Sequence, residues 1–191
     1  MRTYIPIEAT LIPPHAERVF KGVIFDVWQW QQKMFDGSFA TFEMLKRPDT
    51  TVAICVRGDK IVVLEEEQPH YGKRVGLPGG RADVEGEDEL VAIKREVVEE
   101  TGMRYRNWKL VHATQHWSKI DHFVYIFVAT DFADQIDPNI DVGEKITVTE
   151  MTHADFIQAA KKGLLSDKLP NNVLLTKNIE ELLGLADLYK T

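Results

Sequence analysis

The chain switches between two hydrophobic periods. From Val19 to Met34, "VFKGVIFDVWQWQQKM", apolar and aromatic residues recur in partial alternation, and "FATFEML" resumes the pattern after "FDGS" at Phe35–Ser38. An Asp-Gly pair between two such runs predicts a β-hairpin. "RPDT" at Arg47–Thr50 ends it, and two short apolar runs, "TVAICV" and "KIVVLEE", follow as strands separated by "RGD". The period then changes. Leu90, Ile93, Val97 and Thr101 recur at three- and four-residue steps, which predicts a helix over Asp88–Thr101 with Gly102 placed to end it. "WKLVHATQHW", "HFVYIFVAT" and "KITVTEM" return to strand character. The polar stretch "DFADQIDPNIDVGE" reads as a functional loop of about a dozen residues. "HADFIQAAKKG" predicts a helix stopping at Gly163, and "PNNVLLTKNIEELLGLADLYK" a final helix with Pro170 near its first turn. Strands, one helix, more strands, then helices make an α+β protein with a mixed sheet.

Composition narrows the class. With 191 residues the chain suits one domain with a small extension, and 44% hydrophobic against 28% charged residues marks a globular protein. No apolar run approaches the roughly 18 residues that span a bilayer, so no membrane partner is expected. "MRTYIPIEATLIPPH" lacks the apolar core of a secretion signal. The single cysteine, Cys55, lies within "TVAICV", reads as a small core residue and permits no internal disulfide. These features together predict a cytoplasmic protein. The net charge of −7 argues against a nucleic-acid partner, whose phosphates call for clustered Lys and Arg. A small phosphorylated substrate, arriving with its own metal counterion, stays open.

The predicted helix over 88–101 carries an oddity. Glu96, Glu99 and Glu100 share one face at i, i+3 and i+4. Like charges at this spacing cost about 0.2–0.5 kcal/mol per pair. Glu99 and Glu100 also stand in the last turn, where the macrodipole disfavours anions by about 0.3–1 kcal/mol. Arg95, one turn before Glu99, can pair with it. Two readings follow: a solvated acidic face, or a site whose repulsion is relieved by a hard, oxygen-seeking cation such as Mg²⁺. Just upstream, "LPGG" is either a plain turn or a place where Gly79 and Gly80 let backbone N–H groups approach an anion closely.

The stretch from Gly76 to Met103, "GLPGGRADVEGEDELVAIKREVVEETGM", resembles the signature of the Nudix hydrolases, G-x5-E-x7-R-E-U-x-E-E-x-G-U with U a bulky aliphatic. From Glu87 through Arg95, Glu96, Val97, Glu99, Glu100, Gly102 and Met103 the match holds position for position. The leading glycine departs: Arg81 occupies its place and Gly80 lies one residue earlier, as from a one-residue insertion in "RADVEG". The hairpin before the signature, "WQWQQKMFDGSFATFEMLKRPDT", is similar to the N-terminal β extension of the ADP-ribose pyrophosphatase branch.

The resemblance implies a Nudix fold, a mixed sheet between helices, over residues 49–191, preceded by a β extension over 1–48 for dimerisation and substrate stacking. It implies Mg²⁺- or Mn²⁺-dependent hydrolysis of a nucleoside diphosphate conjugate, best ADP-ribose to AMP and ribose 5-phosphate, by a homodimer. Glu96, Glu99 and Glu100 would be metal ligands, with Glu87 completing the site or pinning the loop, and Arg95 holding a glutamate in place. Glu144, in "DPNIDVGEKI", would be the general base or a further ligand, with Asp141 next. Trp28 and Trp30 would stack on the base, or else make dimer or core contacts. Arg47 would pair with phosphate, or form a surface salt bridge. His112 and His116, without metal-ligand spacing, read as structural, and Trp108 and Trp117 as core or rim residues. "EQPH" has no Arg after "EQ", and no proline occurs between Met103 and Asp137, unlike many ADP-ribose enzymes. A nucleoside diphosphate sugar or another ADP conjugate therefore stays open as substrate, as do NADH, dinucleoside polyphosphates and nucleoside triphosphates, and so does a ligand-sensing module without catalysis.

Overall fold

The computed structural model describes residues 2–190. The strands are β1 (Glu17–Lys21), β2 (Asp26–Lys33), β3 (Phe39–Lys46), β4 (Asp49–Arg57), β5 (Lys60–Gln68), β6 (Tyr71–Gly76) and β7 (Gly79–Ala82). After helix α1 (Glu89–Thr101) come β8 (Met103–Thr114), β9 (Ile120–Asp121), β10 (Val124–Gln135) and β11 (Lys145–Thr152). Helices α2 (His153–Lys161), α3 (Asn171–Leu174) and α4 (Ile179–Leu183) and a 3₁₀ turn at Leu188–Lys190 close the chain. Mixed sheets with helices on both sides confirm the expected α+β class.

One sheet has the order β1-β2-β3-β9, and the larger has β11-β5-β4-β10-β8, with β6 added to β5 and β7 to β4. β4 and β5 pair only beside their turn, at Val56↔Ile61 and Arg57↔Lys60. Beyond that point they part. β4 continues against β10 in parallel and against β7, whereas β5 continues between β6 and β11. The space between the parting strands is where the cleft forms.

Alternation along β4 divides the core. Val52, Ile54 and Val56 join Phe156, Ile157, Val173 and Leu182 in one cluster under the C-terminal helices. Ala53 and Cys55 join Ile93, Val97, Phe123, Tyr125 and Phe127 in a second cluster under α1. Cys55 is the buried core residue its setting predicted. α1 starts where expected, capped by Asp88, whose Oδ1 accepts from the N–H groups of Leu90 and Val91, and ends at Gly102 with φ of 70°. Gly102 serves twice, because a Cβ there would overlap the carbonyl of Ile136.

Glu89 fixes the start of this helix in space. It is 2% exposed and accepts from the N–H groups of Thr3 and Tyr4, at 3.0 and 2.9 Å, from the Thr3 hydroxyl, and from the Tyr189 hydroxyl at 2.9 Å. Both ends of the chain thus grip the first turn of α1. Arg2 adds to this, pairing with Asp49 and Asp121, each at 2.6 Å, over the ring of Phe123.

Two predicted elements divide. The first arm of the hairpin breaks into β1 and β2, because the chain turns tightly at Gly22, whose N–H bonds the Phe25 carbonyl at 3.0 Å and which has no room for a Cβ. The final helix breaks into α3 and α4. Thr176 ends the first piece by donating to the Val173 carbonyl, and Asn178 caps the second through the Glu181 N–H.

Candidate active site

A cleft of about 750 Å³ opens where β4 and β5 part, and that size suits a nucleotide. α1 brings Arg95, Glu96, Glu99 and Glu100 to it, the 136–144 loop brings Asp141 and Glu144, and the segment after β3 brings Arg47. Gly79, Gly80 and Arg81 come from β7. Sequence neighbours on one helix and residues over sixty positions apart thus line one cavity.

Arg95 organises the acidic cluster. Its Nε and Nη2 donate to the two oxygens of Glu87 at 2.9 and 3.1 Å. Its Nη1 donates to Glu96 Oε1 at 2.8 Å and Glu99 Oε2 at 3.0 Å, and Nη2 also reaches the Arg81 carbonyl at 3.0 Å. Glu87 lies behind Arg95 in an adjoining cavity and does not line the cleft. Of its two expected roles, holding the loop is the one this position supports. Glu100 takes no bond from Arg95. It is 8% exposed and accepts from the Gly79 N–H at 2.8 Å. Burial, with the charges of Glu96, Glu144 and Glu66, pushes its carboxyl up to about 9. Burial raises Glu96 as well, against the opposing pull of Arg95.

"LPGG" holds a feature of each reading: the chain bends at Pro78, and the Gly79 N–H meets an acidic group, the carboxyl of Glu100. Gly79–Ala82 is a strand, paired with β4, and the Gly79 N–H is occupied by Glu100 rather than open to a ligand. Gly80 has a different purpose: a Cβ there would overlap the carboxylate of Glu96. The glycine displaced by one place from the family pattern is the one on which Glu96 rests.

The loop after β10 is shorter than expected, since β10 runs on to Gln135. It is docked on the end of α1, with the Asn139 N–H bonded to the Glu99 carbonyl at 2.8 Å and the Ile136 N–H to Gly102 at 2.9 Å. Glu144 faces the cluster from this loop. Its Oε1 accepts from Gln68 Nε2 at 2.7 Å, and the same nitrogen donates to Glu66 at 2.6 Å. Glu66 is buried and bonded by Arg74. Burial, with Glu66 and Asp141 nearby, raises the Glu144 carboxyl. Sequence reasoning missed Gln68 and Arg74. Only the "EQ" of "EQPH" drew notice, and Arg74 enters the cleft from β6, a strand whose "YGKRVG" has no hydrophobic period.

Arg47 lines the cleft with its Nε buried and without a hydrogen-bond partner, which the salt-bridge reading did not anticipate. Trp28 and Trp30 do not line it. They stand on β2 in the smaller sheet, Trp28 with a buried, unpartnered Nε1 and Trp30 tilted against Phe42 with Nε1 on Gln32. His112 is a strand residue of β8 paired with Ile126.

The donor set fits a hard divalent cation: every group is a carboxylate, and burial beside like charges leaves them short of positive charge. Among the described residues no three acidic or histidine groups converge tightly enough to hold an ion as they stand. Glu96 and Glu99 each give Arg95 one oxygen and keep the other.

The NUDIX domain model matches residues 46–169. A solved crystal structure of an ADP compounds hydrolase superposes with a TM-score of 0.61 at 17% sequence identity, covering 89% of each chain, a likeness of fold. No curated protein matches the chain. Among the described residues no helix is long and apolar enough to cross a membrane.

Gly80→Ala tests the geometry. The Cβ must displace the Glu96 carboxylate, a flexible group, so the melting temperature should stay within a few degrees while turnover falls at least about tenfold, the effect of a small misplacement in a preorganised site. Thermal melts beside steady-state rates check this; full activity would show that Glu96 need not rest there.

Proposed function

The chain belongs to the NUDIX domain family, and from that premise we propose that it hydrolyses the diphosphate linkage of a nucleoside diphosphate conjugate, with ADP-ribose, cleaved to AMP and ribose 5-phosphate, as the best candidate. The observation that carries this is the single cleft in which an acidic cluster faces three arginines. Arg47, Arg74 and Arg81 can meet phosphate oxygens, while Glu96, Glu99, Glu100 and Glu144 serve the reacting phosphorus.

Glu96, Glu99 and Glu100 would hold Mg²⁺ or Mn²⁺, which when bound neutralises the diphosphate and acidifies water. The remaining work falls to the chain. Arg95 keeps the ligands from splaying apart by pairing with Glu87, Glu96 and Glu99. Glu144 accepts the proton of the attacking water as its oxygen bonds to phosphorus and the bond from phosphorus to the bridging oxygen breaks. Burial raises its carboxyl, which makes it a stronger proton acceptor than an exposed glutamate, and Gln68 orients it by holding one oxygen.

The reading extends to assembly. Val19, Phe20, Val23 and Phe39 of the extension are 52%, 59%, 102% and 65% exposed, an apolar surface that a second copy would cover. These residues, more than the half-buried Trp28 and Trp30, form the proposed homodimer contact. A role for the two tryptophans in substrate binding would need that second chain. Sedimentation of the full-length protein should give a dimer; a monomer at micromolar concentration ends this part of the reading.

Two enzymatic measurements test the rest. ADP-ribose should yield AMP and ribose 5-phosphate only with Mg²⁺ or Mn²⁺ present, and faster than NADH, dinucleoside polyphosphates or nucleoside triphosphates; a higher kcat/KM for one of those reassigns the substrate. Glu144→Gln should lower kcat by about 10²–10⁴-fold with KM little changed. A raised KM at normal kcat would make Glu144 a binding residue, and no change would pass the role of base to Asp141.

A further inference from the structure

A second cavity, of about 460 Å³, joins the catalytic cleft. The two share Thr50, Val52, Ser166 and Asp167 as a common wall. Its floor is apolar, made of Val52, Val124 and Ile126, and its rim carries His116 and Trp117 from the turn between β8 and β9. Trp117 is 64% exposed, with its ring 5.7 Å from that of His116. An indole held open to solvent beside an apolar floor is a surface that a flat ring would cover.

The shared wall offers a polar handle. Asp167 is fixed in place: its Oδ2 accepts from the Leu77 N–H at 2.7 Å and from the Ser166 hydroxyl at 3.3 Å, and the Ser166 N–H is bonded to the Val75 carbonyl at 2.7 Å. Both bonds fall on Oδ2, so Oδ1 is the oxygen that can receive a donor from a ligand. An aromatic ring on one side, an acceptor on the other and a direct opening toward the acidic cluster match the parts of a nucleotide in order: base, sugar, diphosphate.

We propose that this cavity is the nucleoside subsite, in which the base stacks on Trp117 and an N–H or O–H of the nucleoside donates to Asp167 while the diphosphate lies over Glu96, Glu99 and Glu100. The inference rests on the hydrolase reading and locates the base within one chain, away from Trp28 and Trp30. It is separable from that reading because the subsite can be assayed by binding alone.

The experiment compares the full-length protein with Trp117→Ala, Trp117→Phe and Trp28→Ala, reading steady-state constants for ADP-ribose and, by calorimetry, the affinity for ADP. Loss of a stacking partner should raise KM and weaken ADP binding by about tenfold or more in Trp117→Ala, with kcat within about threefold and most of the affinity kept in Trp117→Phe. Trp117 is exposed, so its replacement should leave the fold intact, and a thermal melt controls for this. If ADP-ribose is hydrolysed and Trp117→Ala leaves KM and ADP affinity unchanged, the subsite is wrong and the hydrolase reading stands. If instead Trp28→Ala alone raises KM, the base lies on the extension and the subsite is wrong. If no nucleotide is hydrolysed yet ADP binds and Trp117→Ala weakens it, the subsite stands and the hydrolase reading fails. No ADP binding by the unaltered protein overturns the subsite directly.

Discussion

Everything at this site depends on one guanidinium. Four carboxylates, Glu87, Glu96, Glu99 and Glu100, are drawn to a single helix and the loop before it, where bare repulsion would drive them apart. Arg95 satisfies three of them from one planar fork, with separate nitrogens for Glu87 on one side and for Glu96 and Glu99 on the other. Lysine could not replace it, because a single ammonium cannot serve both directions at once. Glu100 is left outside this arrangement, buried and held only by the Gly79 N–H, and its carboxyl is pushed up as a result. One positive charge shared among three carboxylates, with a fourth left unpaired beside them, makes a cluster that a cation would complete.

Such a cluster is useful only if its helix stays where the strands can reach it. Glu89 supplies that anchor. It receives bonds from Thr3, Tyr4 and Tyr189, so the two ends of the chain converge on the first turn of α1. The far end is held by the 136–144 loop through Asn139 on the Glu99 carbonyl and Ile136 on Gly102. That second clamp also delivers Glu144. The 136–144 loop and α1 are therefore one mechanical unit, and Glu144 is positioned by the same contacts that finish the helix.

The sheets supply the void. β4 and β5 begin as a hairpin at Gly58 and then separate, each taking different partners, and the separation leaves polar edges facing one another across the cleft. The Glu66–Arg74 pair and Gln68 line the β5 side, while Arg47, Gly79 and Gly80 line the β4 side. The adjoining cavity under Trp117 arises because the turn after β8 and the segment after α2 both overhang the parallel edge of β4 and β10.

By itself the sequence determined the helix, its end at Gly102, the acidic face and Arg95 as its partner, because these rest on contacts within about four residues, where spacing is geometry. It also determined the two strands on either side of "RGD" and the buried character of Cys55. The tertiary structure alone decided the rest. Glu89 read as one more acid in a charged run, yet it anchors the chain ends, and the burial of Glu100 against Gly79 came only with the fold. Gln68, Arg74, Asp167 and Trp117 carry no local pattern, since their partners lie on other elements. β6 and β7 went unread because "YGKRVG" and "GGRA" have no hydrophobic period and become strands only through pairing with β5 and β4. Trp28 and Trp30, conspicuous in the sequence, stand away from the cleft, since a strand's position in its sheet, set by pairing, decides which surface its side chains reach.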